Sequence, residues 1–259
     1  MESYLIIPDI HLEHERAEKI IAMHPGLQIL FLGDYFDAFD DSEGGHAATA
    51  RWLSWSVMQP NRTHLLGNHD PYYFTGKKCC HCPGNSDAKY KASREFLTQE
   101  VWAALHTHLW LRPNFLATHA GLSISQSHPM MPLPDFMNRQ ETQLKEACRH
   151  NLDHPWLHLG SRGMAGSRQV AGPLWCDWTD FQGIPSLHQI LGHSVRKGPK
   201  VQSFFKNEDL CWNINLDGAL EVIDGENALN YPGGYAILRE QELEVFDNQG
   251  KLTKTLSIC

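Results

Sequence analysis

The chain has 259 residues, 42% of them hydrophobic and 20% charged, with a formal net charge of -8. That length supports one large domain with a sizeable core, and the acidic balance argues against a broad phosphate-binding surface of the nucleic-acid-binding kind. No run approaches membrane-spanning length, and the opening "MESYLIIPDIH" has no basic segment before its apolar stretch breaks at Pro8, so neither a membrane span nor a secretory signal is expected. Seven cysteines, an odd number, suit reduced thiols in a cytoplasmic protein better than a disulfide framework.

In chain order, "SYLIIPDIH" reads as a strand leading into a helix over roughly residues 12–24. "LQILFLGDYFD" is a second strand, and "HAATARWLSWSVMQ" a helix whose apolar face carries Ala50, Leu53 and Val57. "THLLGNHD" is the third strand, and residues 87–110 form the longest helix candidate. "NFLATHAG" is the fourth strand, followed by a helix over 134–150 capped at Asp135. A glycine-rich stretch then precedes "LHQILGHS", and four short runs ("VQSFF", "LCWNINLD", "YAILRE", "LEVFD") read as strands of an antiparallel sheet. No linker or internal repeat interrupts the pattern, so residues 1–259 are read as a single domain with two sheets. The alternation of strands and helices places the chain in the α/β class, with polar residues gathered at the carboxyl ends of strands.

Five strand exits carry side chains that bind metals: Asp9 and His11, Asp34 and Asp37, Asn68 and His69, His119, and His193. Asp, Asn and His also populate turns and helix caps, so one such exit says little. Five in succession, each after an apolar run, are hard to attribute to turn chemistry.

In these motifs the chain resembles the calcineurin-like metallophosphoesterases, whose signature runs D-x-H, G-D-x-x-D, G-N-H-D/E, a later His within H-A-G, and finally G-H. The closing "NINLDGAL" and "GGYAILR" are similar to the terminal strands of the serine/threonine phosphatase and diadenosine-tetraphosphatase branch. The resemblance implies a four-layer αββα fold, a β-sandwich flanked by helices, with a two-metal site at the carboxyl ends of the strands. It also implies hydrolysis of phosphate esters by a metal-bridging hydroxide. Asp9, His11 and Asp34 would hold one ion; Asp34, as bridge, with Asn68, His119 and His193 would hold the other. His69 would be the general acid, held by Asp37, with Asp70 orienting a ligand from behind. A mixture of carboxylate, amide oxygen and imidazole suits two divalent transition-metal ions, manganese first, with iron, zinc, cobalt or nickel as alternatives.

Departures from the signature bear on substrate. Asp37 is followed by Ala38, Phe39 and Asp40, where the protein-phosphatase branch has an arginine, which weakens the case for a phosphoprotein. Arg162 and Arg168 are either the replacement phosphate clamp or ordinary surface arginines. The last motif is "GHS", not the G-H-x-H of nuclease and phosphodiesterase branches. Trp175, Asp177 and Trp178 line a substrate cleft or, for the tryptophans, close the core. In "KKCCHCPGN", Cys79 and Cys82 have zinc-ligand spacing; a reduced loop cluster is the alternative. Phosphomonoesters, small-molecule or nucleotide, are the expected substrates. Dinucleoside polyphosphates, phosphodiesters and nucleic-acid ends are alternatives. A non-catalytic scaffold of the same fold is disfavoured because none of the six metal ligands is missing.

Overall fold

Alternate residues of the first two strands belong to different cores, and this divides the protein into layers. The computed structural model describes residues 2–38, 41–123, 131–158, 172–194, 199–206, 209–216 and 234–258. Strands β1 (Tyr4–Ile7), β2 (Gln28–Phe31), β3 (Arg62–Leu65) and β4 (Leu105–His106) pair in parallel. On the other side of β1 lie β10 (Tyr235–Arg239), β11 (Glu242–Phe246) and β12 (Leu252–Ser257), which complete a seven-stranded sheet ordered β12-β11-β10-β1-β2-β3-β4. The second sheet has five strands ordered β5-β6-β7-β9-β8, from β5 (His108–Arg112), β6 (Phe115–Thr118), β7 (His188–Leu191), β8 (Lys200–Lys206) and β9 (Asp209–Asn215).

Ile6, Leu30 and Leu65 of the first sheet share one buried cluster with Phe115, Ala117, Ile190 and Ile214 of the second, so the two sheets meet face to face. Leu5, Ile7, Ile29 and Phe31 point the other way and pack with Ala17 and Ile20 of α1 (His14–Met23) and with Ala50, Trp52 and Leu53 of α2 (Glu43–Ser56). Leu116 likewise leaves the inter-sheet layer and joins Met137 and Leu144 of α6 (Leu133–His150). Each fully buried Leu or Ile contributes roughly 1.5–3 kcal/mol. The period-two division of such side chains between two cores therefore outweighs the weak local preferences of four-residue strands. No helix among the described residues is long and apolar enough to cross a membrane.

Three sequence expectations need correction. Residues 87–110 do not form one helix. They form α4 (Asp87–Ser93), α5 (Gln99–Ala104) and then β4 and β5. The Thr98 side chain accepts the Val101 N–H and starts a second helix, while Leu97 between the two helices is buried in the core. The helix placed at 134–150 starts at Leu133 with Pro132 as its N-cap residue, and Asp135 lies in the first turn instead of capping it. The late strands do form antiparallel hairpins, but not one sheet: β8 and β9 join the second sheet, where β9 runs parallel to β7, and β10–β12 extend the first from β1. Alternation identifies such strands, but their sheet is chosen by distant pairing partners.

Candidate metal centre

The carboxyl ends of β1, β2, β3, β6 and β7 converge, and the loops leaving them are bonded to one another. Ile10 and His11 donate their backbone N–H groups to Asp34 O at 3.0 and 2.8 Å. Asp70, at the start of α3 (Asp70–Thr75), accepts from the N–H groups of Gly67, Asp34 and Tyr35 at 2.7, 3.0 and 2.8 Å. Its carboxylate therefore clamps the β2 and β3 exits together, and burial with the nearby charge of Asp34 raises it to about 7.

Two glycines of the signature have steric roles. A Cβ on Gly67 would stand 2.1 Å from Asp34 Oδ1, and one on Gly192 would stand 2.1 Å from Asp9 Oδ1. Only hydrogen fits in either place, so the backbone itself forms the wall behind each carboxylate. Asp9 further accepts the His193 N–H on both oxygens at 3.0 Å, and Asp34 Oδ1 accepts the His69 N–H at 2.9 Å. His11, Asp34, Asp37 and His193 all have positive φ, at 42, 48, 61 and 68°. Non-glycine residues adopt this region at a cost of order 1–3 kcal/mol each, and their grouping marks a site where aiming side chains outweighs backbone ease.

The side chains aim at two adjacent points, one ringed by Asp9, His11 and Asp34, the other by Asp34, His119 and His193. His11 Nε2 lies 3.8 Å from Asp9 Oδ2 and 3.9 Å from Asp34 Oδ2. His119 Nε2 lies 3.3 Å from that same Asp34 oxygen, 2.9 Å from Asn68 Oδ1 and 3.1 Å from His193 Nδ1. Asn68 Oδ1 is itself 2.8 Å from His193 Nδ1. Behind the rings, His119 Nδ1 donates to Leu32 O at 3.0 Å, and His11 Nδ1 faces Asp37 O at 2.5 Å and Phe36 O at 3.1 Å, so each turns its Nε2 inward.

The spacings of 2.8 to 3.3 Å around His119 are those of a coordination shell, and those around His11 are wider. Donors about 2.1 Å from a common ion and at right angles to one another lie about 3.0 Å apart. Lone pairs and carboxylate oxygens crowded so closely repel unless positive charge stands among them. In its other amide orientation, Asn68 would donate an N–H to His119, His193, Asp34 and Leu174 O within 2.8–3.2 Å, which confirms a point ringed by acceptors. Burial opposes protonation of His119, yet the charges of Asp34 and Asp9 raise it to about 9. Burial likewise opposes ionisation of Asp34, but the His119 and His69 charges hold its carboxyl well below the usual range. A divalent ion would supply the same positive charge and displace the Nε2 proton. The residues present therefore fit a pair of ions that share Asp34.

His69 stands beside this cluster, its ring 5.6 Å from that of His11 and its side chain partly open to solvent. Its Nδ1 donates to Asp37 Oδ2 at 2.9 Å. Burial lowers its proton affinity, but the Asp34 charge and the Asp37 hydrogen bond raise it well above the ordinary imidazole range. Asp37 also accepts from Asn85 Nδ2 at 2.7 Å, from Tyr73 Oη, and from Lys89 Nζ at 3.4 Å. Sequence reasoning missed Tyr73, Asn85 and Lys89. Tyr73 sits four residues beyond His69, close enough to have been considered, but Asn85 and Lys89 follow no motif spacing.

Arg162 and Arg168 lie outside the described residues. Trp175 is 5% exposed with its ring edge-on to His193, and Trp178 is stacked on Phe181, so both close the core. Asp177 Oδ1 caps a turn by accepting from the Thr179 N–H and hydroxyl at 2.9 and 2.7 Å. Ser194 Oγ accepts the Trp178 N–H at 2.8 Å inside the protein. Cys79 and Cys82 part company: Cys79 Sγ meets Cys80 Sγ at 3.5 Å, whereas Cys82 Sγ meets His69 Nδ1 at 3.3 Å. They do not form a common zinc site among the described residues.

Residues 3–197 match the family model for calcineurin-like phosphoesterases. The fold is similar to a cold-active protein tyrosine phosphatase, with a TM-score of 0.63 at 14% identity over 99% of this chain and 79% of that one. It is also similar to a protein serine/threonine phosphatase from Saccharomyces cerevisiae, itself described as similar to human phosphatase PP5. That match has a TM-score of 0.53 at 14% identity, over 99% of this chain and 80% of the other. No curated protein sequence matches this chain.

Proposed function

Because this chain belongs to the calcineurin-like phosphoesterase family and is a metal-dependent phosphoesterase, we propose that it hydrolyses phosphomonoesters, with His69 protonating the leaving oxygen. The observation that carries this reading is the His69–Asp37 pair, bonded at 2.9 Å beside the metal-binding cluster. Asp9, His11 and Asp34 would hold one ion, and Asp34, Asn68, His119 and His193 would hold the other. When bound, two such ions neutralise charge on the phosphoryl oxygens and activate water. Manganese is the proposed metal, in keeping with the mixed carboxylate, amide and imidazole donors.

The chain's own groups do the rest. Asp37 accepts the Nδ1 proton and fixes the imidazole ring, leaving the Nε2 proton for the departing alkoxide. Lys89, Asn85 and Tyr73 saturate Asp37, which keeps that carboxylate in one orientation. Asp70 holds the loops that carry Asp34 and Asn68 at a constant separation. Val195 stands where the G-H-x-H motif has its second histidine and carries no ligand atom, which favours the phosphatase side of the family over branches whose final motif ends in that histidine.

The test is a substrate panel at fixed manganese: p-nitrophenyl phosphate, an alkyl phosphate, bis-p-nitrophenyl phosphate and a dinucleoside tetraphosphate. Higher kcat/KM on the monoesters is expected. A diester or the dinucleoside tetraphosphate turned over faster than either monoester would overturn the monoester reading.

A further inference from the structure

Cys82 is buried against the general-acid pair, and nothing in the phosphoesterase reaction calls for a thiol there. Its Sγ lies 3.3 Å from His69 Nδ1, which lies 2.9 Å from Asp37 Oδ2. All three donor atoms fall within 4.8 Å of one another. One side chain ties the flanking donors together, since Asn85 Oδ1 accepts the Cys82 N–H at 2.8 Å while its Nδ2 donates to Asp37 Oδ2 at 2.7 Å. Cys82 is 2% and Asp37 5% exposed, but the His69 side chain is 20% exposed and gives a way in from the cleft.

Thiolate, imidazole and carboxylate together form a donor set suited to zinc. Around a tetrahedral zinc, with Zn–S about 2.3 Å and Zn–N and Zn–O about 2.0–2.1 Å, the sulfur–nitrogen and nitrogen–oxygen edges are about 3.6 and 3.4 Å. The observed edges, 3.3 and 2.9 Å, are about 0.3 and 0.5 Å shorter than these, a gap that side-chain rotation would have to open. A neighbouring group, Asp37 with Asp41 and His46, has similar spacing. There, however, Lys89 Nζ already lies 2.6 Å from Asp41 Oδ2 and 3.4 Å from Asp37 Oδ1, and its ammonium supplies the positive charge.

We propose that Cys82, His69 and Asp37 form a third metal site, suited to zinc and inhibitory, beside the two-metal centre. Binding releases the Sγ and Nδ1 protons to solvent, and the thiolate and carboxylate charges balance the ion. Water takes the fourth position. Asn85 keeps its hydrogen bond to Asp37 and supports that ligand from behind. An ion on Nδ1 takes the place of the proton shared with Asp37 and leaves a neutral imidazole, whose Nε2–H is a much weaker acid than that of the imidazolium, so His69 protonates a leaving alkoxide poorly. The kinetic consequence rests on the reading of His69 as general acid; the binding does not.

Cobalt(II) is the probe. None of Asp9, His11, Asp34, Asn68, His119 and His193 contains sulfur, so a thiolate-to-cobalt charge-transfer band reports a cysteine ligand alone. Titration of the protein with cobalt should fill two equivalents without the band and develop it with the third. Cys82→Ser should keep two equivalents, which also reports its folding, and lose the band. Cys79→Ser and Cys80→Ser should keep the band. No band in the parent protein at saturating cobalt overturns the proposal, as does a band that survives Cys82→Ser or disappears with Cys79 or Cys80. In the manganese enzyme, excess zinc should slow alkyl phosphate hydrolysis about 10²-fold or more in the parent, but not in Cys82→Ser. If zinc instead slows good and poor leaving groups alike while the band follows Cys82, the zinc site stands and His69 is not the general acid.

Discussion

Replacing His69 by asparagine removes the proposed proton donor while sparing the ligands beside it. The His69 backbone N–H that bonds Asp34 Oδ1 at 2.9 Å belongs to the main chain and survives the substitution. Asn68 keeps its place among His119 and His193, so both metal sites should fill normally. What disappears is an imidazole whose protonated form is stabilised by Asp34 and Asp37. General acid catalysis contributes typically about 10²–10⁴-fold, which at 1.36 kcal/mol per decade is about 3–5 kcal/mol of transition-state stabilisation. That stabilisation is needed in full only where the leaving alkoxide is strongly basic. The assay is kcat/KM for His69→Asn on a series of aryl and alkyl phosphates, with metal content measured on the same samples. Loss by the full factor on alkyl phosphates is expected, with a much smaller loss on p-nitrophenyl phosphate, whose leaving group departs unprotonated. Equal losses across the series at two full metal equivalents would refute the assignment and make His69 a phosphate-positioning group.

Asp34 belongs to both donor groups, so Asp34→Asn should reduce the affinity for both ions by more than the 10–100-fold typical of losing an outer partner, and nearly abolish turnover; elemental analysis showing two full equivalents with normal activity would contradict this. Ser194→Ala should leave metal content unchanged but cost about 1–3 kcal/mol in urea unfolding, because the buried Trp178 N–H loses its acceptor; lost metal with unchanged stability would make Ser194 a ligand. His64, buried between Tyr35 Oη and Ser56 Oγ and stacked on Phe31, is lowered to about 3 by burial and the nearby Arg62 charge. The unfolded chain takes up that proton below about pH 6.5 and the folded chain does not. The His64 contribution is therefore intact above pH 6.5 and falls as the pH drops toward 3, by about 2 kcal/mol between pH 7 and 5. His64→Gln should flatten the pH dependence of unfolding by that amount, and an unaltered slope would count against it.

What can be read locally is what a few adjacent residues decide. Apolar runs of four ending in Asp, Asn or His marked five strand exits, because strand period and turn chemistry both operate over a handful of residues. The glycines of "GNHD" and "GHS" stood out in the same way, although their purpose did not: Gly67 matters for the Asp34 carboxylate 33 residues earlier, and Gly192 for Asp9 at the other end of the chain. The apparent helix over 87–110 breaks for one local reason, the Thr98 cap, and one that only tertiary structure supplies, the burial of Leu97 in the core, which together outweigh helix propensity summed along the segment. Tertiary structure alone decided that β10 returns to pair with β1 while β9 pairs with β7, a choice made by partners about 230 and about 24 residues away, about which a short apolar run carries no information. It also separated Cys82 from Cys79, turning one thiol toward His69 and the other toward Cys80. Spacing in a sequence fixes how far apart two side chains start, but where they point depends on which loops the Asp37–Asn85 hydrogen bond and the packing of the surrounding core draw together.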